Sequence, residues 1–253
     1  MKWTAIESNG RNVSLIAFYG NKPPELINLI EQIQNDLKKE LKEGFQPSSL
    51  PQIHGTVIGY EGIKTEQGIL SYWFWKHRQE EKYINLSGSL DYILKTKRLP
   101  LKIRFGGYNP HIDYGFLSQN QVLFERSFQV LNNLAVLMGW PVIKEQVSLE
   151  LAQLRLGFQS FNLLHKHHPK IDSFDNDFYL RLGTLKVQLS DEKLREIKTQ
   201  VQNTLKVNLP LDLGVELKNL SFVAYEDPSL PIETTRILPF TETNLTQLEL
   251  LYS

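Results

Sequence analysis

The chain has no cysteine among its 253 residues. Disulfides, thiol nucleophiles, thiolate zinc fingers and iron–sulfur clusters are therefore excluded together, and the composition suits a reducing cytoplasm. There is no surplus of charge of either sign: 28 Lys and Arg are matched by 28 Asp and Glu. Non-specific nucleic-acid binders carry a basic excess, so any contact with a polyanion here has to be local and built at a site. No run approaches the ~18 uninterrupted apolar residues of a membrane span, and residues 1–7 lack an apolar leader. A soluble cytoplasmic protein with no membrane partner is expected. Phosphate-loop, dinucleotide-glycine and Gly-x-Ser-x-Gly patterns are missing as well. What is present is globular material, with 41 % hydrophobic residues, enough for a substantial core.

Residues 13–19 are short, β-branched and aromatic, and read as a strand closed by Gly20. Pro23 and Pro24 open a helix, where a missing N–H costs nothing. Leu26, Leu29, Ile30, Ile33, Leu37 and Leu41 recur on its apolar face, and Gly44 ends it. A second strand is expected over 52–60, a third at Leu101–Phe105, and one or two more within 114–126. Helices are expected over 90–95, 128–138 and about 144–165. A strand at 178–187 follows, then a helix capped by Ser190 with the stripe Leu194, Ile197, Val201 and Leu205. Leu220–Tyr225 and residues 235–238 form a closing hairpin. The expected fold class is α+β: two pseudo-symmetric lobes of antiparallel sheet with outer helices around a central cleft, forming one domain over 1–253.

The segment Gln52-Ile53-His54-Gly55-Thr56-Val57-Ile58-Gly59 carries the most chemistry. On a strand, His54 and Thr56 share a face, while Gly55 and Gly59 keep the other face bare for close packing. An imidazole that titrates near neutral pH can move a proton, and a neighbouring hydroxyl can hold a non-bridging phosphate oxygen. The plainer alternative is a His and a Thr on an ordinary half-exposed strand.

With a strand, a long amphipathic helix and then this His-x-Thr strand, the chain resembles the first lobe of the two-histidine (2H) phosphoesterase superfamily. The carboxyl half, with its strand, helix and hairpin, resembles the family too. The resemblance implies a His-x-Thr/Ser strand from each lobe facing a central cleft. It also implies hydrolysis of an RNA 2′,3′-cyclic end or a small cyclic nucleotide, with no metal or other cofactor. One histidine would act as base toward water and the other as acid toward the leaving oxygen. On that reading His54 is the general acid or base, and Thr56 holds the phosphate.

The second motif departs from the family: Tyr179-Leu180-Arg181-Leu182-Gly183-Thr184-Leu185 contains no histidine. Aligning Thr184 with the family hydroxyl puts Leu182 in the histidine's place; aligning Arg181 with the histidine puts Gly183 where the hydroxyl belongs. In a regular strand Arg181 and Thr184 face opposite sides, so the two registers exclude each other. Neither Leu nor Arg transfers a proton, although Arg181 or Thr184 could bind phosphate. Losing one acid–base partner typically costs ~10²–10⁴ in rate. Two functions are therefore expected as alternatives: a weak phosphodiesterase, or a non-catalytic RNA-, nucleotide- or protein-binding member of the same fold.

Other residues have competing readings. His165, His167 and His168 could end a helix as a cationic cluster, with His165 and His168 on one helical face. They could also replace the missing histidine, or bind a metal with Asp172, Asp175 or Asp177, although no recognised ligand spacing is present. His111 falls in an expected loop, and His77 has no evident partner. Tyr72, Trp73, Phe74 and Trp75 could stack on bases, but on a strand at most two share a face, and core packing is the better reading. Lys102 and Arg104 share a strand face, either toward the cleft or toward solvent.

Overall fold

The computed structural model describes residues 10–207 and 210–253. Residues 1–7, read above for a leader, lie outside the described residues. In chain order the elements are β1 (Gly10–Ala17), α1 (Pro24–Leu41), β2 (Phe45–Pro47), β3 (Gly55–Gly59), β4 (Gly62–Thr65), β5 (Gly68–Ser71), α2 (Leu86–Lys95), β6 (Leu101–Phe105) and α3 (Leu123–Arg126). They continue with β7 (Phe128–Leu131), β8 (Leu134–Ile143), β9 (Gln146–Val147), α4 (Glu150–Gly157), β10 (Phe178–Leu185), α5 (Asp191–Val207), β11 (Leu211–Val215), β12 (Leu220–Tyr225), β13 (Arg236–Pro239) and α6 (Leu245–Glu249). The fold is α+β. Its main sheet runs β11-β6-β8-β10-β3-β1-β12-β13, antiparallel throughout.

Strand alternation sorts the apolar side chains onto two faces. Leu15 and Ala17 of β1, Leu180 and Leu182 of β10, Leu137 of β8 and Phe222 of β12 enter one core with the stripe Leu26, Ile30, Ile33 and Leu37 of α1 and Ile197, Val201 and Leu205 of α5. The other face carries two separate clusters. Val136, Met138 and Trp140 of β8 pack with Tyr108 and Leu123 on one side. Ile16 of β1 and Val223 of β12 pack with Leu230 on the other. Strands β3 and β10, at the centre of the sheet, lie between these two roofs.

Several expected elements differ. Residues 128–138 form the β7–β8 hairpin instead of a helix, turning at Asn132, whose φ is +57°. This segment is apolar on both faces because β8 is covered on both, and such a run lacks the alternation that marks a half-exposed strand. The second strand starts at Gly55: a 3₁₀ turn at Leu50–Gln52, closed by reciprocal Ser49 and Gln52 contacts, takes Gln52, and Ile53 and His54 connect the two outside either element. Residues 114–122 form a loop with one Ser118–Gln121 bridge, and α3 follows in place of further strand. The helix expected over 144–165 is only α4 plus a 3₁₀ turn at Phe158–Phe161, ended by Asn162 at φ +60°. His165 and His168 therefore share no helix face. Strand β10 stops at Leu185, two residues short of the expected end. Tyr72 and Trp73 open a helical stretch, which Phe74–Arg78 continues as a π turn, so the aromatics do not alternate as in a strand. Among the described residues no helix is long and apolar enough to cross a membrane.

Gly55 is required by packing: a methyl group there would run into the ring of Phe178 beneath it. Gly55→Ala should therefore destabilise by ~1–3 kcal/mol in urea unfolding, the usual cost of overpacking. Adding Phe178→Leu to the same chain should return part of that loss; an unchanged unfolding midpoint in the single variant would contradict this packing.

Candidate functional site

Strands β3 and β10 pair at the rung Leu180↔Gly55. Antiparallel register then sets Arg181 opposite His54, and Tyr179 opposite Thr56, on the face between the two roofs. Toward the far end of β3, the buried Arg155 of α4 spans the gap. Its Nε donates to Val57 O at 2.9 Å and Nη2 to Thr56 O at 2.9 Å. Nη1 reaches Asp175 O and Asp177 O, both at 3.1 Å, and the Asp175 carboxylate at 3.0 Å. One guanidinium thus ties the carbonyls of β3 to the segment leading into β10.

The parity argument against using Arg181 and Thr184 together is overturned. The β10–β8 register shifts between Arg181 and Gly183, so a β-bulge at Leu182 resets the alternation. Arg181 and Thr184 come to the same side, and Arg181 Nη2 donates to Thr184 Oγ1 at 2.9 Å. The bulge is anchored from the other side of the sheet. The Leu182 carbonyl accepts from Ser48 N at 2.9 Å and from the buried amide of Gln34 on α1 at 2.8 Å. A polar residue on the apolar face of α1 was the only trace of this in the sequence.

His54 precedes β3 and is half-buried. Its Nδ1–H donates to Gln52 O at 2.7 Å, which fixes the tautomer and leaves the Nε2 lone pair. Burial lowers its pKa to about 4, opposed by the Gln52 hydrogen bond and helped by the positive charges of Lys22, Arg181 and Lys166. Burial likewise brings Lys22 down to about 8, so it remains mostly protonated at neutral pH. None of these three cations forms a salt bridge among the described residues. Arg181 Nε is buried and without a partner among them. Lys166 Nζ donates to Tyr179 OH at 3.2 Å. Lys102 and Arg104, in contrast, lie on β6, next to the edge strand β11, where Asp212 and Glu145 neutralise them.

The aromatic segment positions the Lys166 loop. Trp73 donates to Glu61 at 2.8 Å and stacks on His77, whose Nε2–H donates to Lys166 O at 3.0 Å. Arg78 donates to His168 O and Lys170 O. This gives His77 the partner its sequence context did not reveal. His111 is exposed in its loop.

A second cluster lies beyond Tyr179. One donor atom each from His165, His167 and Asp175 lie within 4.8 Å of one another, the arrangement among these side chains that could hold a metal. A cavity of about 330 Å³ opens on His167, Asp175, Asp177, Tyr179 and Phe174. Asp172 and Asp177 are not in the cluster; Asp177 accepts from Ser118, Arg126 and Trp140 instead.

No family model and no curated protein matches the chain. Among solved structures it is similar to the conserved protein of unknown function ATU0111 from Agrobacterium tumefaciens, at 13 % identity and a TM-score of 0.44, over 87 % of this chain and 82 % of that one. It is similar to TT0787 of Thermus thermophilus at 12 % identity and a TM-score of 0.41, over 89 % and 93 % of the two chains.

The proton inventory can be checked by NMR. The His54 ring should titrate near pH 4, and Arg181→Gln should raise that value by removing a neighbouring cation. Its unfolded-state pKa is near 6.5, so between those values the unfolded chain binds a proton that the folded chain does not. The resulting stability is complete above pH 6.5 and is lost as pH falls toward 4. A His54 that titrates at 6.5 in the folded protein would contradict this environment.

Proposed function

We propose that the cleft between β3 and β10 binds a phosphate-bearing ligand, such as an RNA 2′,3′-cyclic end or a small cyclic nucleotide, and that the chain is a 2H-phosphoesterase-like protein that binds more than it cuts. The observation supporting this reading is a convergence of charge: Lys22, Lys166 and Arg181, none salt-bridged among the described residues, act on a neutral His54. Unit charges at ~4 Å attract by about 4 kcal/mol at an effective dielectric near 20, so an anion between these groups offsets repulsion that the folded chain otherwise carries. Arg181 has five N–H donors and gives one to Thr184, which leaves a fork for phosphate oxygens beside the Thr184 hydroxyl.

The same register explains the weakness of catalysis on this reading. Two-histidine chemistry needs one group to take a proton and another to give one. Opposite His54 stands a guanidinium, which offers N–H donors to an anion and no lone pair that could take a proton. A second reading, slow hydrolysis with His54 as the sole base, draws on the free Nε2 lone pair. An anion bound beside the ring would raise its pKa from about 4 toward neutrality and make it more basic.

Calorimetry with a nucleoside 2′,3′-cyclic phosphate, run beside a chromatographic product assay, separates these readings. Saturable binding without turnover is expected. Arg181→Gln should weaken binding ~10–100-fold, the ~1.5–3 kcal/mol of a charge-assisted contact. Turnover abolished by His54→Ala would favour the second reading, and no binding to any cyclic phosphate would remove both.

A further inference from the structure

We propose that His165, His167 and Asp175 form a site for a single divalent transition ion of the zinc type, opening on the cavity beyond Tyr179. This site is separate from the His54 cleft and does not depend on the function proposed for it. Three observations converge on it. First, two imidazoles and one carboxylate present donor atoms within 4.8 Å of one another. Bonds of ~2.0–2.1 Å to a shared ion need donors ~3–4 Å apart, a closure that rotation of the exposed His167 can supply.

Second, the two donors nearest each other already face one another: His165 Nε2–H donates to Asp175 Oδ2 at 2.8 Å. An ion between them takes the place of that proton, which shifts to the Nδ1 of the same ring. The exposed His167 lines the cavity together with Asp175, so the third donor reaches the ion from that side.

Third, the carboxylate has lone pairs to spare. Asp175 already accepts from Arg155, His165 and Asp177 N, yet a carboxylate offers about four lone-pair sites, so one remains. Arg155 opposes an incoming cation, which argues for a modest affinity. Imidazole-rich donor sets favour zinc-type ions over magnesium or calcium. The cavity leaves coordination positions for water or a small anion.

The test uses the tag-free full chain, stripped with chelator and titrated with Zn²⁺ by calorimetry and with Co²⁺ by visible absorption. One ion per chain is expected, with cobalt bands in the range of nitrogen and oxygen ligation. Asp175 supports the Arg155 contacts, so its variants could fail to fold; His167 makes no hydrogen bond among the described residues, and His167→Ala carries the test. It should weaken zinc binding by more than ~100-fold, beyond the ~10–100-fold expected for loss of an outer-shell partner. His111→Ala, a surface-histidine control, should leave binding intact. Zinc should raise the melting temperature of the parent chain but not of His167→Ala. No saturable uptake by the parent, or uptake unchanged in His167→Ala, would overturn the assignment.

Discussion

The buried guanidinium of Arg155 is what holds the centre of this sheet together. β3 and β10 share one ladder rung, so the carbonyls past Gly55 on β3 have no strand on that side to bond. Arg155 takes two of them, together with two carbonyls and a carboxylate from the segment that becomes β10. A buried charge without this many partners would not be tolerated, and removing one partner of such a pair typically costs ~3–5 kcal/mol. The placing of Asp175 beside His165 follows from this grip, while the Leu180↔Gly55 rung sets His54 against Arg181.

Much of the frame was legible because its signals are local. The stripe of α1, the cap of α5 and the closing hairpin come from periodicity and single capping residues, and each lies where its pattern put it. The His-x-Thr segment was also readable as strand, although the strand begins only at Gly55, after the histidine, and Gly55 is bare for a reason visible in the Phe178 ring. The rest was hidden because it depends on partners distant in sequence. The bulge at Leu182 is held by Gln34 and Ser48, and a parity rule applied to β10 alone cannot anticipate it. Arg155 looks like one more basic residue in a helix until its acceptors, almost a hundred positions away, are known. The β7–β8 segment reads as a helix because β8 is covered on both faces and its apolar run lacks alternation.

Charge is distributed unevenly in a chain whose total is zero. On β6, next to the edge strand β11, Arg104 and Lys102 are paired directly with Asp212 and Glu145. At the centre, Lys22, Lys166 and Arg181 form no salt bridge among the described residues, and Glu61 and Asp227 act on the last two only at longer range. Direct pairing near one edge of the sheet and its absence at the centre is the main electrical asymmetry of the described residues.

The loop that the π turn grips has a further consequence. Lys166 points its ammonium toward Tyr179 and the field of His54, while its immediate neighbours His165 and His167 belong to the histidine–aspartate cluster. Three successive residues thus serve two places at once, and His77 holds the backbone between them by the Lys166 carbonyl. The three side chains hang from one short stretch of backbone, so a shift of that backbone, unlike the rotation of a single side chain, is felt in both places.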